Sequence, residues 1–513
     1  MGSVNFLKHS EYEVLMARAV ILAIDQGTTG TTALLFDDAL RVLGKVTAEF
    51  AQHYPKPGWV EHDLNEIWRT VLSTVTQALE VSGIKPNEVT AIGITNQRET
   101  TCLWETDAQG TPLHRAIVWQ DRRTTERCSS LRKRGLESGI RKKTGLWADP
   151  YFSATKLEWL LKNVSGASKK LKQGILKAGT IDSYLLYRMT AEHATDPSNA
   201  SRTMLMNLKT CQWDDELLRL FKIPKAILPT ILPSAVEYGK TRSFAGLPDG
   251  IPVTGISGDQ QAALFGQACF QPGGLKCTYG TGAFILVNIG SKPVLSKHKL
   301  LTTVAWKLGN QVTYGIEGSS FIAGAAVQWL RDQMGFLANA AEVESLARSV
   351  NDSGGVTFVP ALTGLGAPHW IAEATGTITG LTRGSGRGHL ARAVLEGVAF
   401  QVAELVSAMA QDLGKPIREI RVDGGASAND LLMQMQSDFT GARIVRSEIL
   451  ETTALGAGLQ AGLGAGIFSD LSAIQKAWNS SETFSPKMTA TMRKKELNRW
   501  DRAVRATKAA VGR

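Results

Sequence analysis

The sequence has no apolar run near the roughly 18 residues that a bilayer-spanning helix requires, so membrane insertion is not expected. Cysteine is scarce. Cys102, Cys128, Cys211, Cys269 and Cys277 are odd in number and form no C-x-x-C pair. That excludes a disulfide framework and a thiolate zinc site, and it fits reduced thiols in a cytoplasmic setting. An intact G-x-x-x-x-G-K-[ST] motif is also missing. Gly239, Lys240 and Thr241 resemble its end, but Ser234 stands where the first glycine belongs. The stretch 1–17 lacks the apolar core of a secretory signal and carries Glu11 and Glu13, which suit a transit peptide poorly. It reads as an N-terminal extension. The formal net charge is +10, yet the densest basic stretches, 122–143 and 493–513, have acids interspersed and no interleaved aromatics. They read as solvated helix faces rather than a nucleic-acid surface, although such a field also suits a polyanionic substrate.

What is present is an ordinary globular composition, 43% hydrophobic and 20% charged over 513 residues, a length that suggests two or three domains. The most informative stretch is VILAIDQGTTGTTALLF at 20–36. A β-branched apolar run ends on Asp25, a polar turn holds Gly27, Thr28, Thr29 and Gly30, and a second apolar run returns. This predicts a hairpin whose turn N–H groups and threonine hydroxyls can converge on an anion. Asp25 beside it could hold a divalent cation, directly or through water. An ordinary Asp- and Gly-bearing hairpin turn reads equally well.

Further on, a helix is expected over about 64–81 and a strand over 89–94, the latter ending in Asn96, Gln97, Arg98 and Glu99. Polar residues at the C-terminal ends of such strands mark the ligand edge of an open α/β sheet. Arg98 and Glu99 offer donors and an acceptor to a small polyol, or form a surface ion pair. Trp119 could lie along a carbon chain or fill a core, and Tyr151 opens a helix after Pro150. The segment 253–265 reads as a strand meeting Asp259 at a helix start. Read alone, Asp259 is first a helix cap, and second a general base toward an alcohol. LKCTYGTGAFILVN at 275–288 repeats the hairpin pattern, and IRVDGGASA at 420–428 is a strand ending in Asp423, Gly424 and Gly425. Those glycines allow a flat ligand such as a purine to approach the backbone. Gly456, Gly458 and Ala461 weakly mimic a dinucleotide fingerprint; with no strand expected before them, they read as close helix packing.

Two hairpin turns and a strand–Asp–Gly–Gly loop describe the architecture shared by sugar kinases, actin and Hsp70. DQGTT at 25–29, GWVEHD at 58–63, GITNQRETT at 93–101, DPYFSATK at 149–156, GDQQAALFGQ at 258–267, TYGTG at 278–282 and RVDGG at 421–425 narrow it. In order and over nearly the whole chain, they resemble the FGGY carbohydrate kinase family, in its glycerol-phosphorylating branch. The resemblance implies an α/β fold of two duplicated actin-like (ribonuclease H-like) lobes around a deep cleft. An N-terminal lobe at 18–268 would hold glycerol and phosphate, and a C-terminal lobe at 269–513 the adenine nucleotide. It implies ATP-dependent phosphorylation of glycerol to sn-glycerol 3-phosphate. Arg98, Glu99, Tyr151, Asp259 and Gln260 would hold glycerol hydroxyls, with Asp259 as the base. Trp119 and Phe284 would flank the carbons. Thr28, Thr29, Gly30, Thr281, Gly324, Gln328, Gly425 and Asn429 match nucleotide contacts, and Asp25 would hold Mg2+ through water. A homo-oligomer, dimer or tetramer, is expected.

Two departures stand out. Thr32 occupies a place where many relatives carry an arginine near the γ-phosphate. SFAGLPDG at 243–250 replaces the loop by which some bacterial relatives bind fructose 1,6-bisphosphate, so that regulation is not carried over. Two other readings remain: a kinase of another small polyol or ketose, and a non-enzymatic nucleotide clamp of the actin or Hsp70 type. The intact Arg98–Glu99 and Asp259–Gln260 pairs speak against the clamp.

Overall fold

The computed structural model describes residues 19–512; the stretch read as an N-terminal extension, 1–17, lies outside them. Two sheets organise the chain. The first uses β1 Val20–Gln26, β2 Gly30–Asp37, β3 Val42–Glu49, β4 Val89–Asn96, β5 Ala235–Lys240 and β6 Pro252–Gly258, ordered β5-β6-β4-β1-β2-β3. The second uses β7 Leu275–Tyr279, β8 Ala283–Gly290, β9 Leu301–Leu308, β10 Gln311–Ser320, β11 Glu419–Asp423, β12 Arg443–Ser447 and β13 Ser480–Phe484, ordered β9-β10-β8-β7-β11-β12-β13. Each has the same heart. A hairpin, β1–β2 or β7–β8, has its first strand paired in parallel with a later strand, β4 or β11. The duplication is not strict: the strand beside β8 is β10, and β9 lies outside it.

β1 is buried on both faces, with Ile21 to Ile24 at 0% exposure, so its run of apolar residues is what a central strand requires. Helix α1 Leu64–Ser82 buries Leu64, Ile67, Val71, Val75, Ala78 and Leu79, the spacing of a one-sided helix. Asp63 caps it, its side chain accepting from the N–H groups of Asn65 and Glu66, and Gly83 ends it at φ 69°. The remaining helices that matter to the site are α2 Ser153–Asn163, α3 Asp259–Gly266, α4 Gly324–Asp332, α5 Arg387–Leu413, α6 Asp430–Thr440, α7 Thr452–Gly464 and α8 Ala490–Ala509. Contrary to the expectation that no stretch suits a bilayer, helix α5 is long and apolar enough to cross one by length and composition, but 83% of its apolar window is buried inside the protein, as in the core helix of a globular fold.

Helix α7 carries the weak dinucleotide fingerprint. Contrary to the expectation, a strand does precede it, β12. The packing reading holds: a Cβ on Gly456 would stand 1.8 Å from the carbonyl oxygen of Ala262, and one on Gly266 2.0 Å from that of Thr452. Helices α3 and α7 therefore cross backbone to backbone, and α7 also packs on β1, β4 and β6. A segment late in the chain is thereby fixed to the first sheet. The basic stretch at 122–143 is not wholly solvated either. Arg123 is buried between the rings of Trp59 and Trp159, 3.7 and 4.7 Å from their centroids, and pairs with Asp121 and Glu61.

Candidate active site

The first hairpin turn is held from behind. Gly27 N–H donates to Gly30 O at 2.9 Å. Gln97 Nε2 donates to Gly27 O at 3.0 Å, and Gln52 Nε2 to Thr28 O at 3.0 Å. His62 joins these two amides: Nε2 lies 2.6 Å from Gln52 Oε1 and Nδ1 3.2 Å from Gln97 Nε2. Oε1 only accepts and the amide nitrogen only donates, so the ring is the neutral Nε2–H tautomer. Burial pushes its pKa down to about 3. With the turn's carbonyls drawn back and the Gly27 N–H used inside the turn, the N–H groups of Thr28 and Thr29 are the ones placed for an anion, and Thr29 is exposed at the tip.

Asp25 is the last residue but one of β1, opposite Thr32 of β2 and Thr95 of β4 in the sheet register. Burial first, then the charges of Asp259 and Glu451, push its carboxyl up to about 7. Asp259 and Glu451 already pair with Arg98 and Lys45, so Asp25 is the carboxylate of the three that fits a divalent cation. No three metal-ligating side chains converge among the described residues. One carboxylate plus phosphate oxygens and water is the set that Mg2+ usually takes.

The polyol candidates converge. Arg98, 3% exposed, puts Nε 2.8 Å from Asp259 Oδ1 and Nη1 on Glu317 Oε2. Glu99, held at φ 62°, accepts from Arg202 Nε at 2.6 Å. Arg202 Nη2 donates to Glu317 Oε1 at 2.9 Å. Arg98 and Glu99 are therefore not a surface pair; each is tied into a buried ring with Arg202 and Glu317. Asp259 is not the helix cap. Gly258 holds that place, and Asp259 is the first helical residue, its side chain 27% exposed. Both groups bonded to its carboxylate, Arg98 Nε and its neighbour's N–H, lie on Oδ1, which leaves Oδ2 open. Trp119 and Tyr151 stand edge to face at 5.5 Å, and Phe284, from the second sheet, meets Trp119 at 6.5 Å. Trp119 Nε1 donates to Thr28 Oγ1 at 2.9 Å, which ties this aromatic wall to the phosphate-type turn.

The second hairpin turn opens on a cavity of about 500 Å³ that gathers Thr281, Gly324, Gln328, Gly425 and Asn429. Gly424 must be glycine: at φ 83° its Cβ would meet Tyr279 O at 2.5 Å. Nothing lies within 4 Å of a Cβ on Gly425, so that position faces open space. Asn429 caps α6, its Oδ1 accepting from Leu432 N–H at 2.8 Å. Thr28, Thr29 and Gly30 are not part of this cavity; they belong to the first turn.

Sequence reasoning missed several residues. Glu317 and Arg202 close the charge ring, and the signal for Glu317 was an acid inside an otherwise buried strand. Burial opposes ionisation of Glu317, but Arg202 and Arg98 prevail and hold its carboxyl below the usual range. Lys156 on α2 is fully buried, its Nζ on the carbonyls of Pro150 and Tyr151 (the latter 2.9 Å away) and 3.5 Å from that of Trp119. Glu344 was also missed in the cavity lining. Thr32 Oγ1 lies 2.9 Å from Thr47 Oγ1 across the sheet. Lys45, two residues along β3 and on the same face as Thr47, pairs with Glu451.

Residues 20–266 match the N-terminal domain of the FGGY family of carbohydrate kinases, and residues 275–465 match its C-terminal domain. The chain belongs to this family. The FGGY assignment is sharpened by curated relatives. A glycerol kinase of Bdellovibrio bacteriovorus is 55% identical over 94% of this chain and 98% of that protein, and one of Myxococcus xanthus is 54% identical over the same shares. Among solved structures, the glycerol kinase of Plasmodium falciparum with ADP superposes at TM-score 0.89, with 37% identity over 96% of this chain and 98% of that one. The two-lobed FGGY fold, expected from the motifs, is therefore the observed one.

Proposed function

We infer that this FGGY kinase transfers the γ-phosphoryl group of ATP to a terminal hydroxyl of glycerol, giving sn-glycerol 3-phosphate. The observation that carries the reading is the open Oδ2 of Asp259 beside Arg98, whose buried charge ring includes Arg202 stacked over Tyr151, the ring that meets Trp119 and through it Phe284. The half-identical relatives named glycerol kinase support it over nearly their whole length. Carboxylates at Glu99 and Asp259 accept hydroxyl protons, Arg98 and Gln260 donate to hydroxyl oxygens, and the aromatics cover carbon. Bulky walls leave room for a short substrate. Asp259 takes the proton of the attacking hydroxyl as general base.

The adenine nucleotide occupies the cavity lined by Thr281, Gly324, Gln328, Gly425 and Asn429, with its phosphates directed to Thr28, Thr29 and Gly30. Asp25 would hold Mg2+, directly or through water, and the ion supplies positive charge to the phosphate oxygens. Phosphoryl transfer asks the protein mainly for positioning and charge stabilisation. Closing the lobes keeps water from competing with glycerol. Five buried free thiols fit a cytoplasmic location. Coupled ADP production, with and without glycerol and against a panel of polyols and ketoses, tests the reading. Glycerol-dependent release is expected. Faster turnover of xylulose than of glycerol would assign the site to another sugar.

Two predictions arise here. Thr32→Arg is expected to keep or raise turnover, because Thr32 lies directly across the hairpin from Asp25; a collapse in kcat would show that the site is shaped around Thr32. Lys156 holds the backbone of both Trp119 and Tyr151. Burial lowers its pKa to about 8, below its ordinary 10.5. The folded state sheds this proton first, so protonation costs stability at neutral pH and that cost fades as pH rises from 8 toward 10.5. The ammonium that grips the carbonyls is lost over the same range. The KM for glycerol should therefore climb above pH 8 while the KM for ATP stays flat. Lys156→Met should show a raised glycerol KM at every pH and no climb, and a parallel climb in the mutant would detach Lys156 from the effect.

A further inference from the structure

We propose that Lys276 is a positioning residue that fixes the side-chain amide of Gln260, so that its NH2 group and not its oxygen faces the glycerol. This rests on the reading that Gln260 meets the substrate. Lys276 is the second residue of β7, the strand that leads into the second hairpin turn, and its side chain is 0% exposed. Its Nζ bonds Gln260 Oε1 and lies 2.9 Å from Thr278 Oγ1. An ammonium has protons and no lone pair, so the atom it meets on the amide must be the acceptor. That contact leaves Nε2 on the other side of the amide as a donor. Gln260 is 7% exposed, so little else competes to orient it. The site then presents one fixed polarity: Asp259 and Glu99 accept, and Arg98 and Gln260 donate.

The same ammonium joins the two halves of the cleft. Thr278 accepts from Lys276 and donates to Asp423, which also accepts from Gln267 Nε2 at 2.7 Å. Asp423 ends β11 immediately before the Gly424–Gly425 loop that borders the nucleotide cavity. A continuous polar chain thus runs from Gln260 on α3, through Lys276 and Thr278 on β7, to Asp423. Burial lowers the pKa of Lys276, while the charges of Asp423 and Asp259 hold it up. Charge-assisted hydrogen bonds of this kind are among the stronger ones.

The test is a KM-against-kcat comparison with glycerol and ATP varied separately. Lys276→Met is expected to raise the glycerol KM about tenfold or more, with a smaller effect on the ATP KM, as loss of a hydrogen bond to a charged group implies. In a Gln260→Ala background the same substitution should add little to the glycerol KM, because the amide it acts through is gone. Lys276→Gln fills the space and can still donate to Oε1 without a charge. It is expected to fold where the Met variant fails, and to raise the glycerol KM less. Normal glycerol turnover by the unaltered chain with an unmoved KM in Lys276→Met or Lys276→Gln overturns this inference alone. Equal, additive losses in the Gln260→Ala background overturn it too. No glycerol turnover by the unaltered chain overturns the functional reading beneath it.

Discussion

Asp259→Asn is expected to bind glycerol and ATP much as before and to lose turnover about 100-fold or more, as removal of a general base should. The amide matches the carboxylate in shape, and its oxygen can still accept from Arg98 Nε and from the N–H of Gln260, now at 2.8 and 2.7 Å from Oδ1. Position and packing survive. What is lost is the capacity of Oδ2, the oxygen with no bonded donor, to take the proton of the attacking hydroxyl. The substitution therefore separates holding from reacting. Calorimetry should give dissociation constants close to the unaltered enzyme's, while a coupled assay of ADP release reports the fall in kcat. A kcat near normal would remove Asp259 from the role of base. A large loss of glycerol affinity would instead make Asp259 chiefly a binding group.

How much of this was legible in the sequence follows from the range of each interaction. The two hairpins were, because a turn is local: Gly27 to Gly30 and Gly280 to Gly282 sit within a few residues of the strands they join. Asp25, Asp259 and Asp423 were legible as acids where apolar runs stop. The role of Asp259 was harder, since a helix start favours an acid for its own reasons. Only its pairing with Arg98, 161 positions earlier by numbering (259 − 98), separates the two. Arg202 was not legible, and Glu317 only as an acid inside an apolar strand, not as a partner of any residue. Their partners lie more than a hundred residues away, and a single arginine or glutamate carries no spacing that announces a ring. Lys156 and Lys276 failed for a related reason: a lysine in a sequence looks solvated, and only packing reveals that it is buried. The strand before α7 was missed because Arg443 and Arg446 break the apolar run of β12; Arg446 instead pairs with Asp430 and Glu482.

Glu317→Ala is expected to destabilise the fold by about 3–5 kcal/mol, the cost of leaving buried charges without their partner. Glu317 is 1% exposed and receives both Arg98 Nη1 and Arg202 Nη2. It stands on β10, in the second sheet, whereas Arg98 follows β4 of the first. Its carboxylate is thus a link between the two halves of the chain as well as an anchor for a glycerol-binding arginine. Removing it strands two guanidinium groups in a dry interior, with Glu99 and Asp259 left to satisfy both. Glu317→Gln keeps the volume and one acceptor, so its loss should be clearly smaller; the difference between the two variants isolates charge from shape. Thermal melts and denaturant titrations read the stability, and the glycerol KM reads the site, which should weaken as Arg98 loses its tether. If the alanine variant melts with the unaltered protein, the ring is solvated in solution and Arg98 is held by Asp259 alone.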